Sequence, residues 1–418
     1  MRPSPQTRTR GCLLGLASVV LAALACADAA LAAAPAAPAT GEWPAWRGPD
    51  RTGISAETGW SANWTEAPPK KLWEAKVGMG FSTVSVSKGR LYTMGNTDGT
   101  DTVWCLNPDT GDVIWKHSYP CKPHQYEGPR CTPTVDGDSV YTLSNRGNLF
   151  CLDAAKGTVK WEVNVDKALG ASPPQWGFAC SPLVLGDRLI IDVGPLVALN
   201  KADGKVVWKA GSDKAAYGSP YAFDVGGKTI LGSFNDYGPV VVDASDGKVL
   251  GRHRWQTEYG VNAVTPVVEG NTLFISSGYN RGAALFEVSE AGLKVLWENK
   301  NMRNHANNCV LWKGYLYGFD GQVNEGALTC IDFKTGEKKW AEKTLRAGGL
   351  MMADGKLVLM SAKGEVAVVE ASPDGFKELG RLKVLTGTCW THPVLVGGRL
   401  YCRNHPGDLI CLDVRAAK

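Results

Sequence analysis

From Leu91 to the end of the chain, apolar positions fall in short β-branched and aromatic runs between Gly-rich polar turns, and no stretch keeps helical periodicity. Two phrases alternate. The first is a Gly-containing turn leading into an apolar strand: Leu91-Tyr92, Val140-Tyr141, Leu189-Ile190, Ile230-Leu231, Leu273-Phe274, Leu316-Tyr317, Leu357-Val358 and Leu400-Tyr401. The second is an apolar pair, an acid or amide, a turn ending in Gly, and a Trp four residues later. It reads Cys105-Leu106-Asn107 with Gly111 and Trp115, Cys151-Leu152-Asp153 with Gly157 and Trp161, and Ala198-Leu199-Asn200 with Gly204 and Trp208. Looser copies follow at Asp243/Gly247, Glu287/Gly292/Trp297, Asp332/Gly336/Trp340 and Glu370/Gly375, and a truncated one at Cys411-Leu412-Asp413.

The interval from Leu91 to Leu400 averages about 44 residues per repeat, the length of a four-stranded propeller blade. The spacing predicts an all-β chain, an eight-bladed β-propeller of four-stranded antiparallel blades over residues 70–418. Within each phrase the Asp or Asn can hold turn amides, the Gly supplies a positive φ, and the Trp is an inter-blade anchor. Trp115, Trp161, Trp208, Trp297 and Trp340 are the docking residues on this reading. The last repeat stops before its outer strand, while Lys71-Leu72-Trp73-Glu74 carries an anchor with no turn before it. Residues 70–76 are therefore expected to complete the eighth blade.

Composition narrows the compartment and the partner. Residues 1–32 hold three arginines near the start, an apolar run from Leu13 to Ala25, and Ala30-Leu31-Ala32, the three regions of a secretory signal peptide. Cleavage after Ala32 is the first reading; Cys26 after Ala23-Leu24-Ala25 offers a lipid anchor as the alternative. Residues 33–69 form an N-terminal extension, and no second apolar run of spanning length follows. An exported, periplasmic location is expected. Taking the three arginines and Asp28 of residues 1–32 from 45 basic and 41 acidic residues leaves a net charge near +2, no footprint for nucleic acid. Ten cysteines remain beyond the signal, at 105, 121, 131, 151, 180, 309, 330, 389, 402 and 411. Cys105, Cys151, Cys330 and Cys411 share one repeat position and read as small apolar strand residues. Cys402 with Cys411 and Cys121 with Cys131 are the candidate disulfides.

The phrases Leu152-Asp153-Ala154-Ala155-Lys156-Gly157-Thr158-Val159-Lys160-Trp161 and Ile331-Asp332-Phe333-Lys334-Thr335-Gly336-Glu337-Lys338-Lys339-Trp340 resemble the docking motif of pyrroloquinoline quinone (PQQ) type repeats. The resemblance covers about residues 70–415. Trp43-Pro44-Ala45-Trp46-Arg47-Gly48-Pro49 with Gly53 is similar to the opening of exported bacterial PQQ-like propellers. These repeats build quinoprotein dehydrogenases and also non-catalytic propellers such as the lipoprotein of the outer-membrane barrel-assembly machinery, so they imply a fold more than an activity. The catalytic members imply PQQ with Ca²⁺ or a lanthanide, a disulfide between adjacent cysteines and an Asp base. This chain has no Cys-Cys pair. The expectation is a non-catalytic envelope scaffold or binding protein without a resident cofactor; the alternative is a PQQ-dependent dehydrogenase.

Candidate binding chemistry gathers where loops enter the inner strands. Those loops bring Phe81, Arg130, Trp176, Tyr217, Asn262, His305, Asn308 and Trp390 to one mouth, with Phe81, Arg130 and Trp390 in one equivalent slot. Aromatics with one Arg near the axis suit a small ligand, and Arg130 needs either an anion or a bridge to Glu127. Asp136-Gly137-Asp138 is spaced like a metal pair but reads as a solvated turn. Cys121/His124, Cys389/His392 and Cys402/His405 have soft ligands three residues apart; in a strand that offset points Cys389 and His392 to opposite faces, and the two loop pairs, which escape the objection, read as incidental spacings. No metal site is expected, and no hydrolase elbow, P-loop or haem motif occurs.

Overall fold

In the computed structural model, residues 41–122, 125–323 and 325–416 are described. The expected signal peptide, with Cys26, and His124 lie outside them. Eight sheets of four antiparallel strands are arranged as successive blades, each running in chain order from its short first strand to its last. In the first blade the order is Ser85–Ser87, Arg90–Thr97, Thr100–Leu106 and Val113–Pro120. The eighth blade takes its fourth strand from the other end of the chain: Lys70–Lys76 pairs antiparallel with Asp408–Asp413, Trp73 opposite Cys411. That is the closure expected from the stray anchor phrase, and it gives the eighth blade its outer strand. A single turn of α-helix, Val165–Leu169, is an exception to the all-β reading, capped by Asn164 and ended by Gly170 at φ 63°.

The repeat phrase acts through three contacts. Asn107, Asp153, Asn200, Asp243 and Asp332 each accept turn amides, as in Lys156 N to Asp153 Oδ1 at 2.9 Å. The positive-φ Gly then lies flat under the Trp of the preceding blade: a Cβ on Gly157 would meet the Trp115 ring at 2.4 Å, and one on Gly204 the Trp161 ring at 2.8 Å. The indole N–H finally donates to a turn carbonyl of the next blade, Trp115 to Ala154 O and Trp161 to Lys201 O at 3.0 Å, Trp208 to Ala244 O at 3.2 Å. Trp297 and Trp340 repeat the bond to Phe333 O and Ser372 O. Across the same strands a Tyr, a Cys and the Trp stand side by side, as Tyr92, Cys105 and Trp115 do. The ten cysteines from Cys105 to Cys411 are buried and free.

Both candidate disulfides are overturned. Cys402 faces Ile410 and Cys411 faces Tyr401, and because neighbouring strand residues point to opposite faces the two sulfurs lie on opposite sides of the sheet. The Cys121 thiol instead donates to Asn145 Oδ1 at 3.2 Å, and Cys131 Sγ accepts the Leu143 N–H at 3.3 Å.

The N-terminal extension is not an appendage. Ile54–Ser55 pairs parallel with Gly349–Ala353, the innermost strand of the seventh blade. Before that strand, residues 43–53 contact the inner strands of the other blades one after another. Trp43 bridges Val86 in the first blade, and Val135 N of the second donates to Pro44 O. Arg51 reaches the third and fourth, Trp46 Nε1 donates to Thr265 Oγ1 of the fifth, and Arg47 reaches Cys309 O of the sixth. Ser55 Oγ donates to Leu395 O of the eighth. The Trp-Pro-Ala-Trp-Arg-Gly-Pro segment is thus a plug in the central channel.

Candidate functional site

The inner strands meet near the axis through small polar residues rather than a hydrophobic core. Thr83 N donates to Thr132 Oγ1, Thr132 N to Ser181 Oγ, and Ser181 N to Ser219 Oγ, so across the first four blades a hydroxyl satisfies an amide of the blade before. Carbonyls are left pointing inward, and the plug arginines take them. Arg51, 3% exposed, donates to Ser181 O, Pro182 O and Pro220 O at 2.6–2.8 Å. Arg47, equally buried, holds Arg51 O, Thr52 O and Cys309 O. Burial lowers both guanidinium groups to about 10, so they remain charged near neutrality.

Above the plug lies a cup of about 210 Å³. Trp46 of the plug lies among its lining residues. Phe81 and Trp390 stack at 5.4 Å on one wall, and Trp176 and Tyr217 lie 5.8 Å apart on another. Tyr126 bridges the walls, 6.1 Å from Trp390 and 6.5 Å from Trp176, and Tyr279 sits edge-on to His305. Tyr126, Tyr259 and Tyr279 all adopt positive φ, 51–58°, a strained state for a bulky side chain that such a collar of loops must sustain. Ser181, Ser219, Thr391 and Asn308 supply the polar remainder.

Of the eight residues expected at the mouth, Phe81, Arg130, Trp176, Tyr217, His305, Asn308 and Trp390 line this one cup. Asn262 does not: it is fully buried behind the wall, donating to Asn235 O and accepting from Ser277 Oγ. Arg130 makes no bridge to Glu127. Its guanidinium clasps its own loop, donating to Gly128 O at 3.2 Å and Tyr126 O at 2.8 Å, and lies over the Phe81 ring. Glu127 instead offers its carbonyl to His405 Nε2. Trp46 and Tyr279 were missed; only the density of Trp and Arg in the extension hinted at the first, and Tyr279 enters from a turn between second and third strands.

The titratable groups are quiet. Burial lowers His305 to about 4 and His392 to about 3, leaving both imidazoles neutral at physiological pH. Among the described residues no Asp or Glu lines the cup. Asp136 and Asp138 pair with Lys201 and Lys88 at a turn. Among the described residues no group of three His, Cys, Asp or Glu could hold a metal ion.

Residues 100–342 match the family model described as outer membrane protein assembly factor BamB. The chain belongs to the BamB family. Among solved structures, BamB from Moraxella catarrhalis is 17% identical, with 84% of this chain and 99% of that one covered at a TM-score of 0.62. Quinohemoprotein alcohol dehydrogenase from Comamonas testosteroni is 13% identical over 90% and 81%, at 0.65, and a europium-containing methanol dehydrogenase 13% over 86% and 89%, also at 0.65. At such identities these likenesses show the fold alone, shared by a BamB and by dehydrogenases. No curated protein matches the chain. Among the described residues no helix is long and apolar enough to cross a membrane.

Proposed function

We propose that this BamB-family chain is an exported, non-catalytic binding propeller of the cell envelope, whose mouth cup takes a small ligand and whose outer surfaces serve a protein partner. The observation that carries the reading is the chemistry of the cup: aromatic walls over a plugged floor, with no carboxylate among the described lining residues and, among them, a single imidazole, His305, whose basicity burial has removed. General acid–base work needs a group poised near the operating pH, and the described residues of the cup hold none.

The alternative, a PQQ-dependent dehydrogenase, is supported by the shared fold and an aromatic cup with an arginine. The donor set does not fit it. PQQ chemistry of that kind calls for a cation held by carboxylate and amide oxygens, and among the described lining residues Asn308 alone supplies such a side chain. The test is calorimetric titration with PQQ, with and without Ca²⁺, alongside reduction of an artificial electron acceptor by alcohols and sugars. The expected outcome is no Ca²⁺-dependent saturation and no turnover, with a partner recovered from envelope pulldowns. Turnover that depends on PQQ would overturn the reading.

A further inference from the structure

Six of the eight blade junctions are closed by an indole that donates to a turn carbonyl of the next blade. Two blades lack that Trp: in its register position the fourth has Gly251, opposite Val241, and the seventh Gly380, opposite Val368. The two gaps are filled differently. Between the fourth and fifth blades the outer strands touch directly, and a Cβ on Gly251 would meet Gly292 Cα at 2.7 Å. Between the seventh and eighth, Gly380 is covered by a residue from outside the repeats, so that a Cβ there would meet Trp64 Cβ at 2.6 Å and Trp64 N at 2.9 Å. Trp64 is buried in one apolar cluster with Met360 and Val368 of the seventh blade and Leu400 and Leu412 of the eighth. The polar half of the junction is rebuilt as well. Elsewhere the indole N–H goes to the carbonyl one residue after the turn's Asn or Asp, as at Pro108, Ala154, Lys201, Ala244 and Phe333. In the eighth blade that residue is Val414, after Asp413, and its carbonyl accepts the Ser61 N–H at 2.7 Å, while Trp64 Nε1 turns back to Ser61 O at 2.9 Å. Ring and donor, supplied by one Trp at the other junctions, are divided here between Trp64 and Ser61.

We infer that residues 60–64 are a latch, a strap outside the repeats that closes the seventh-to-eighth junction in place of a missing repeat Trp and whose release opens the ring at that junction alone. In a ring held by nearest-neighbour contacts, loss of one junction's anchor is felt first by the two blades it joins. The latch lies between the plug, which ends with Glu57 on the Gly397 and Gly398 amides, and the closing strand that starts at Lys70. Three successive stretches of the N-terminal region thus hold the eighth blade. The chain entering that blade carries Trp390 and Thr391 into the cup, whereas Tyr126, Trp176 and Tyr217 come from the second to fourth blades. Release of the latch therefore loosens the Trp390 wall and leaves the opposite walls in place.

The test is native-state hydrogen exchange of the whole chain, read peptide by peptide by mass spectrometry. In Trp64→Ala the amides of Glu378–Lys383, Asp408–Asp413 and Lys70–Lys76 are expected to exchange about a hundredfold faster, the scale of one buried aromatic removed, and the peptide carrying Trp390 to follow. Those of Val113–Pro120 and Val159–Asn164, in the first and second blades, are expected to keep their rates. Trp64→Phe, mild enough to keep the fold should the alanine fail, is expected to give the same pattern at about tenfold. Ser61→Pro leaves the indole and removes the donor to Val414 O, and is expected to speed the same amides. Uniform acceleration around the ring, or none in the seventh and eighth blades with Trp64→Phe and Ser61→Pro, would overturn the latch. Acceleration confined to Lys70–Lys76 would overturn it too, since the strap would then serve the closing strand and not the junction.

Discussion

At the scale of single residues, the blade junction is a sandwich of one indole on one glycine. Trp208 is 8% exposed, donates to Ala244 O and covers Gly247. Trp208→Ala is expected to cost about 3–5 kcal/mol, the usual loss for a buried aromatic, and Trp208→Phe distinctly less; a loss under about 1 kcal/mol for the alanine in urea unfolding would show the anchor is idle. Gly157→Ala is expected to cost about 2 kcal/mol or more, because it adds a methyl inside the Trp115 ring at φ 70°. These contacts were legible in the sequence because each phrase is local and recurs at fixed spacing. Arg51 was not, since its partners lie 130–169 residues away and no repeat marks it.

The same scale sets the acid response. His305 and His392 have folded pKa values of about 4 and about 3, below the ordinary 6.5. Between those values the unfolded chain binds more protons, so their contribution is present above about pH 6.5 and is lost as pH falls toward 3–4. Asp192 opposes them: burial raises it to about 6, so its contribution is lost as pH rises from about 4 to 6. His392→Phe, whose ring keeps the contact with Trp46, 4.8 Å away in the native chain, is expected to flatten the acid limb of a stability–pH profile, and Asp192→Asn to steepen it. An unchanged profile in both variants would show that neither group is held as the structure describes.

At the scale of elements, two segments far from the repeats decide the architecture. The closing strand was visible because Trp73 keeps the repeat register although its turn lies at the other end of the chain. Deleting residues 70–76 exposes the edge of Asp408–Asp413 and removes the Trp73 bond to Pro108 O. The thermal midpoint is expected to fall, and an unchanged one would refute closure by this strand. The plug was invisible as an element: it contains a two-residue strand, and its pairing with Gly349–Ala353 is parallel and crosses about 300 positions of sequence. Local pattern carries no information about such a partner. Of the mouth, the aromatics in the equivalent slot could be read from register, whereas Trp46 in the floor depends on where the plug threads, and Asn262 depends on which way a loop residue turns.

At the scale of the whole molecule, a ring of repeats has only nearest-neighbour terms to hold it, so its stability is nearly a sum of junctions and its cooperativity is limited. The plug changes that arithmetic by touching every blade at once. Arg51 alone joins the third and fourth blades, Arg47 the sixth, and Glu57 accepts the Gly397 and Gly398 amides of the eighth. Removing the plug would leave inward-pointing carbonyls without donors, an inner ring that hydration must then satisfy. A chain beginning at Thr58 retains the closing strand and every indole–glycine junction, so it is expected to keep its far-ultraviolet circular dichroism. Its midpoint is expected to fall by ~5 °C or more, its unfolding transition to broaden, and the cup, lacking Trp46, to lose its ligand. Broadening is the decisive observable, since a segment that merely added contacts would shift the midpoint and leave the slope alone. A truncated chain unfolding as sharply as the intact one would mean that the ring is cooperative by its own junctions and that the plug serves only the cup.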